Sequence, residues 1–350
     1  MGLIKFTNKG IYCQQGDFYI DPWQPVDYAV TTHGHADHVR FGNKYYLCHT
    51  ITKPIIKRRI SADLNVQTLN YGESIVRNGV HISFYPAGHI IGSAQVRLEY
   101  KGEICVISGD YKIEDDGIST PYEPVKCHSF VSESTFGLPI YRWQKQEIII
   151  DGIRQWVKDN ITQGKTSVLI AYSLGKAQRL IKNLAGDMPI YVHTSIDDLN
   201  EVLINAGVGL PETIRITPDL SKDELQRGIV IVPPAMRDGR WIKSLYHPAT
   251  GICSGWMQVR AHRRWKSADA GFALSDHADF TGLEAAITAT EAEKVFVTHG
   301  FTAAFSRFLR EKGIEAKEVL TRYGQEDDEE SRDAVEAAGP ETAGKQTGSP

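Results

Sequence analysis

The segment Thr32-His33-Gly34-His35-Ala36-Asp37-His38, directly behind the apolar run Tyr28-Ala29-Val30-Thr31, constrains this chain more than any other feature. Imidazole and carboxylate are ligands for a borderline divalent ion such as Zn²⁺ or Mn²⁺. Four metal-capable side chains between positions 33 and 38 exceed what core packing requires, so the fold has to carry this loop into a pocket that closes on an ion. In an extended loop His33 and His35 reach to one side, and Asp37 and His38 turn to another. A closed ion site takes about four ligands and an open one about three plus water. His89 in Tyr85-Pro86-Ala87-Gly88-His89 and Asp110 in Ile107-Ser108-Gly109-Asp110 each follow a strand-like run and supply the rest of one set with His33 and His35. His299, in Val297-Thr298-His299-Gly300, completes a second set with Asp37 and His38, Asp110 bridging the two. Two ions about 3.5–4 Å apart can activate water, polarise a phosphoryl oxygen and stabilise a leaving oxygen. Asp21, just before Pro22, reads either as a strand-ending turn residue or as the group that orients the His loop.

Composition narrows the setting. The 350 residues exceed one ordinary core, which predicts one large or two modest domains. At 41% hydrophobic and 23% charged the chain is globular, neither fibrous nor wholly disordered. No apolar run approaches the ~18–20 residues of a membrane span, and the opening segment lacks the apolar stretch of a secretion signal. Five scattered cysteines without a Cys-x-x-Cys argue against a disulfide framework or thiolate metal site and predict a cytoplasmic protein. Charge is unevenly spread. Residues 324–350 hold eight acids against two bases, so of the overall −4 the remaining residues carry +2. That tail reads as solvated and disordered, and the body charge is compatible with a polyanionic partner without demanding one.

The body divides by pattern. Short strands over 18–21, 29–32, 45–49, 80–85, 94–100, 104–108 and 129–132, with few helices, predict a sheet-rich sandwich flanked by helices. From about residue 146 the pattern alternates: helix over 146–158, strand over 167–172, a helix opening at Leu174-Gly175-Lys176, strands over 190–193 and 229–232. Strands over 272–275 and 295–298 follow, each ending in a histidine-bearing loop. The expected division is 1–152 with 266–323, an inserted unit over 153–265, and the tail.

Asp21, His33-x-His35-x-Asp37-His38, His89 and Asp110 together resemble the metallo-β-lactamase superfamily, whose members are αββα sandwiches with a metal site at one sheet edge. Val131-Ser132-Glu133-Ser134-Thr135-Phe136, Leu274-Ser275-Asp276-His277-Ala278-Asp279 and Val297-Thr298-His299-Gly300 resemble, in order, motifs A, B and C of the β-CASP nucleases. In detail the chain is most similar to the bacterial ligase-associated DNA exonucleases, through Gly10-Ile11-Tyr12-Cys13 and Gly16-Asp17-Phe18-Tyr19-Ile20-Asp21-Pro22-Trp23. It departs from the Artemis-like DNA nucleases, which lack a histidine at motif C. There His299 makes it similar to the RNA-cleaving branch, which includes the polyadenylation endonuclease. The resemblance implies an α/β metallo-β-lactamase sandwich with an inserted β-CASP domain, and a nuclease holding two divalent ions, Zn²⁺ or Mn²⁺. DNA is the expected substrate, exonucleolytic repair the expected role, and a DNA ligase or helicase the implied partner. RNA processing is the alternative, and a small-molecule hydrolase or a non-catalytic scaffold ranks below both.

Within that resemblance His277 is the proton donor to the departing oxygen and Glu133 its orienting carboxylate, a reading set ahead of Glu133 simply accepting backbone N–H bonds. Asp37 serves both as ligand and in catalysis. Ser173, Gly175 and Lys176, where a strand runs into a helix N-terminus, are the expected phosphate contacts, with a second turn at Ser254 and Gly255. Two stretches interleave bases with tryptophan, 237–243 and 260–266, and read either as nucleic-acid contacts or as a solvated face. Lys53, Lys57, Arg58 and Arg59 read as a solvated face.

Overall fold

Period-two alternation builds the centre of the molecule. In Val80-His81-Ile82-Ser83-Phe84 the apolar residues share one face, and in Ala94-Gln95-Val96-Arg97-Leu98 they do so again. All six are fully buried in a cluster that also takes Ile11, Phe18, Ile20, Val30 and Leu47 from the opposite side. The structure is a computed structural model, and it describes residues 2–186, 188–259 and 268–319.

A first sheet runs in chain order: β1 (Ile4–Phe6), β2 (Ile11–Cys13), β3 (Phe18–Ile20), β4 (Tyr28–Val30), β5 (Tyr45–His49) and β6 (Val66–Leu69). Its first three strands are antiparallel and its last four parallel. Helix α1 (Thr52–Arg59) covers its outer face with Ile56, and Pro54 is tolerated because it lies in the first turn. The facing sheet begins with β7 (Ser74–Arg77), β8 (Val80–Pro86), β9 (Ala94–Tyr100), β10 (Glu103–Ile107) and β11 (Ser129–Ser134).

After α2 (Gln146–Thr162) comes a third sheet, made of β12 (Thr166–Ile170), β13 (Ile190–Val192), β14 (Ile214–Arg215), β15 (Ile229–Val232), β16 (Pro248–Cys253) and β17 (Ala270–Phe272). Every pairing in it is parallel, in the order β14-β13-β15-β12-β16-β17. Helices α2 and α3 (Lys176–Leu184) pack one face through Ile153, Val157, Leu180 and Ile181. Between the strands run α4 (Thr194–Asn205), α5 (Lys222–Gln226) and α6 (Arg240–Lys243). The unbroken burial of β12 and β15 suits a sheet covered on both faces. The chain then returns through α7 (Phe280–Ala289), β18 (Lys294–Gly300), α8 (Thr302–Glu311) and β19 (Glu315–Glu318), and the last two strands extend the second sheet beside β11. Phe280, Leu283, Phe305 and Leu309 close that sheet's outer face.

The result is the expected αββα sandwich carrying an α/β insertion. Some elements depart from the sequence pattern. The strand expected over 272–275 stops at Phe272, because the Leu274 amide turns back to the Phe272 carbonyl and the Ser275 hydroxyl takes the His277 amide. Strands β7 and β19 were not legible as apolar runs, since both are edge strands with alternately exposed residues. The cationic face at Lys53–Arg59 is only partly solvated: Arg58 pairs with Asp198 of α4, and Arg59 Nη1 donates to the Gly34 carbonyl at 2.8 Å. The acidic stretch 324–350 and the basic stretch 260–266 lie outside the described residues.

Phe84 is fully buried between the two sandwich sheets. Phe84→Ala is expected to lower the unfolding free energy by about 3–5 kcal/mol, read as a fall in the urea midpoint at unchanged slope.

Candidate metal centre

The site lies where β3, β4, β8, β10, β11 and β18 end. Behind β4, His33 Nε2 stands 3.2 Å from His35 Nδ1, which is 3.1 Å from His89 Nε2 in the turn after β8. Asp110, after β10, places Oδ2 3.6 Å from His33 Nε2 and 3.9 Å from His89 Nε2. All four residues are buried, and their ligand atoms lie within 4.8 Å of one another. Gly109 allows Asp110 this approach. It has φ 59°, and a Cβ there would meet Thr32 at 2.7 Å.

Each imidazole has its other nitrogen engaged. His33 Nδ1 lies 3.0 Å from Thr32 Oγ1, whose hydroxyl donates to Asp21 Oδ2 at 2.5 Å. His89 Nδ1 donates to the Asp276 carbonyl at 2.9 Å, and His35 Nε2 to the Leu174 carbonyl at 3.3 Å. These acceptors select the tautomers that leave lone pairs on His33 Nε2, His35 Nδ1 and His89 Nε2, the atoms that converge.

Beside this set, His38 Nε2 lies 3.3 Å from Asp110 Oδ2 and 3.4 Å from Asp37 Oδ2, and His38 Nδ1 lies 2.7 Å from Asp21 Oδ2. Asp21 Oδ1 also accepts the Thr32 amide at 2.8 Å, so its carboxylate binds both ends of the His loop. His299, at φ 54° near the end of β18, lines one small cavity with Asp21, His38, Asp110 and Glu133. Ser134 Oγ donates to its carbonyl at 2.5 Å.

Glu133 and His277 form a pair against this cluster. His277 Nδ1 is 2.9 and 3.0 Å from the two Glu133 oxygens, which also accept the Tyr111 amide at 2.8 Å and the Thr135 hydroxyl. The backbone-acceptor reading and the histidine-orienting reading of Glu133 therefore hold at once. Atoms of Asp110, Glu133 and His277 lie within 4.8 Å of one another, and the His277 ring centre is 4.6 Å from that of His89.

Electrostatics suit a cation. Burial, helped by neighbouring imidazoles, holds His33 and His35 well below the ordinary histidine range, and burial lowers His89 too. Burial also opposes the charge on His38, but Asp37, Asp110 and Asp21 outweigh it and push His38 well above that range. Burial likewise opposes charge on Asp37 and Asp110, yet His38 holds both carboxyls low. Asp37 Oδ1 is buried without a hydrogen-bond partner among the described residues, a cost that a bound ion would relieve. Nitrogen and carboxylate donors in this number fit a divalent ion of the zinc or manganese type.

The expected phosphate turn is arranged differently. The Gly175 amide donates to Gln178 Oε1 at 2.7 Å, and a Cβ at Gly175 would fall 2.3 Å from Ile90, so this glycine serves close packing and its N–H is taken. Lys176 is 1% exposed, over the Tyr172 ring and 3.7 Å from Asp276 Oδ2. Ser173 Oγ lies 2.9 Å from Ser195 Oγ. Ser254 Oγ accepts the Trp256 amide, and Gly255 packs on Phe136. Trp241, in the basic stretch 237–243, packs against the core of the third sheet. The sequence reading missed Thr32, Arg59, Arg179 and the carbonyls of Leu174 and Asp276. Carbonyls leave no residue-type signal, whereas Thr32 and Asp276 could have been noticed beside the His motifs.

Fold and site define an αββα sandwich with an α/β insertion and a buried histidine–aspartate cluster able to hold a divalent ion. No family model matches the chain. Among curated proteins it is 30% identical over 318 residues to a protein of Opitutus terrae named probable DNA ligase, covering 89% of this chain and 30% of that one. It is 24% identical over 206 residues to an RNase J-like protein of Methanocaldococcus jannaschii, covering 49% of this chain and 48% of that protein. It is 28% identical over 122 residues to the cleavage and polyadenylation specificity factor subunit 3 of Dictyostelium discoideum, covering 33% and 15% respectively. The chain thus spans less than half the length of each of these relatives. Fold, motifs and these similarities fit the β-CASP branch of the metallo-β-lactamase superfamily.

Asp37, Asp110 and Asp21 favour a proton on His38, so a cation held by His38 would have to displace it. Zinc affinity is therefore expected to rise from about pH 6 to about pH 8, with proton release on binding. Isothermal titration in buffers of different ionisation enthalpy measures both, and a pH-independent affinity would contradict this electrostatic picture.

Proposed function

We propose that this chain is a metal-dependent phosphodiester hydrolase, a nuclease that acts on DNA ends in repair. The observation that carries the reading is the convergence of His33, His35, His89 and Asp110 beside the buried Glu133–His277 pair. His33, His35, His89 and Asp110 would hold one divalent ion, and Asp37, His38 and His299 a second, with Asp110 shared. When bound, the ions supply an activated water and neutralise charge on the phosphoryl oxygens. Glu133 holds the Nδ1 proton of His277 and orients the ring. His277 Nε2 then passes its proton to the departing oxygen, while Asp37 orients the water. Substrate would lie between the sandwich and the inserted unit. All five cysteines are free and buried, which supports work in a reducing, cytoplasmic setting. Among the described residues no helix is long and apolar enough to cross a membrane.

The similarity to a protein named probable DNA ligase, over 89% of this chain, supports DNA as substrate and a ligase as working partner. RNA is the second reading, supported by His299 and by the similarity to an RNase J-like protein and to a polyadenylation specificity factor subunit. Digestion of end-labelled single- and double-stranded DNA and RNA, with Zn²⁺ and Mn²⁺ in parallel, decides. Shortening of single-stranded DNA from an end is expected, and cleavage of RNA alone would reverse the assignment.

Two substitutions separate the roles. His277→Ala should keep its metal and lose roughly 10²- to 10⁴-fold in rate, whereas Asp110→Ala should lose bound metal, as read by elemental analysis. Full activity of His277→Ala across pH would remove the proton-donor role.

A further inference from the structure

Helix α3 carries two cations inward, and both end on one carboxylate. Asp276 Oδ1 lies 3.2 Å from Arg179 Nη1, and Oδ2 lies 3.7 Å from Lys176 Nζ. The three side chains are at most 4% exposed. Burial opposes the charge on Asp276, and the two cations hold its carboxyl below the ordinary range. A buried ion pair gains little over an apolar pair of similar size, so keeping three charges here calls for a reason beyond stability.

The reason lies in what this backbone holds. Arg179 Nη1 donates to the Ser275 carbonyl at 2.5 Å, and its Nε donates to Gln146 Oε1 of α2 at 2.6 Å. The peptide at Ser275–Asp276 is thereby tied to two helices of the third sheet. Its next carbonyl, that of Asp276, selects the tautomer of His89. The residue after it is His277, paired with Glu133. Any shift of this peptide displaces a metal ligand and the proton donor together.

We propose that Arg179 and Asp276 are positioning residues, whose buried ion pair with Lys176 fixes the Ser275–Asp276 backbone so that His89 presents Nε2 to the ion and His277 stays against Glu133. The proposal rests on the metal-dependent reading above and requires no contact of either residue with substrate. The inserted unit would then do more than cover the cleft: its helices would set the geometry of the sandwich's metal centre.

The test uses the full chain with Arg179→Met and Asp276→Asn made separately, Arg179→Gln as a milder neutral variant should Arg179→Met fail to fold, and circular dichroism as the check of folding. Zinc affinity, measured by competition with a chromophoric chelator, is expected to fall by about 10- to 100-fold. On single-stranded DNA, kcat should fall comparably while KM moves by less than about threefold, because no substrate contact is lost. Arg179→Lys, which keeps the charge but cannot reach the Ser275 carbonyl and Gln146 together, should recover only part of both. Parental zinc affinity and kcat in any of the folded neutral variants overturns the proposal. Weakened zinc binding in variants of a parent that cuts no nucleic acid supports the positioning role and removes the nuclease reading, so the two failures are distinguishable.

Discussion

Three imidazoles can face one point only if each gives its other nitrogen a partner elsewhere, and the site depends on that condition. In this protein the partners are a threonine hydroxyl backed by Asp21, the carbonyl of Leu174 and the carbonyl of Asp276. Each removes one tautomer, and together they turn a histidine cluster into a set of convergent lone pairs. Without them, buried imidazoles at this spacing would point donors and acceptors at one another unpredictably.

Two of those three acceptors lie beyond the first half of the sandwich. Leu174 precedes α3 of the insertion, and Asp276 lies on the strand of chain that returns from it. Metal centre and insertion are therefore one piece of architecture. The same dependence shows in the charges. His38 sits among Asp21, Asp37 and Asp110, an arrangement that favours positive charge in the space a cation would share, while burial keeps the other ligand histidines neutral. On the far side, Glu133 spends its two oxygens on Tyr111, Thr135 and His277, which immobilises the carboxylate as well as the imidazole.

Much of this was legible in the chain. Many short strands with few helices announced the sandwich, and the alternation of helices and strands from about residue 146 announced a different sheet. The residues His33, His35, His89 and Asp110 were each recognisable as strand-end groups of ligand type. Edge strands such as β7 and β19 were not, because half-exposed strands lack an apolar signature. The turn at Ser173-Leu174-Gly175-Lys176 could not be read further from sequence for a physical reason: a glycine before a helix looks the same whether its amide waits for an anion or donates to Gln178, as it does here.

Residue type and order determined which chemistry this protein can perform, since only those side chains can ligate an ion or move a proton, and strand periodicity determined which of them end at a sheet edge. Tertiary structure alone decided tautomers, the burial of Lys176 and the pinning of His89 and His277 from the insertion. Those outcomes turn on backbone carbonyls and on distances between segments far apart in the chain, and neither leaves a trace in the identity of any residue.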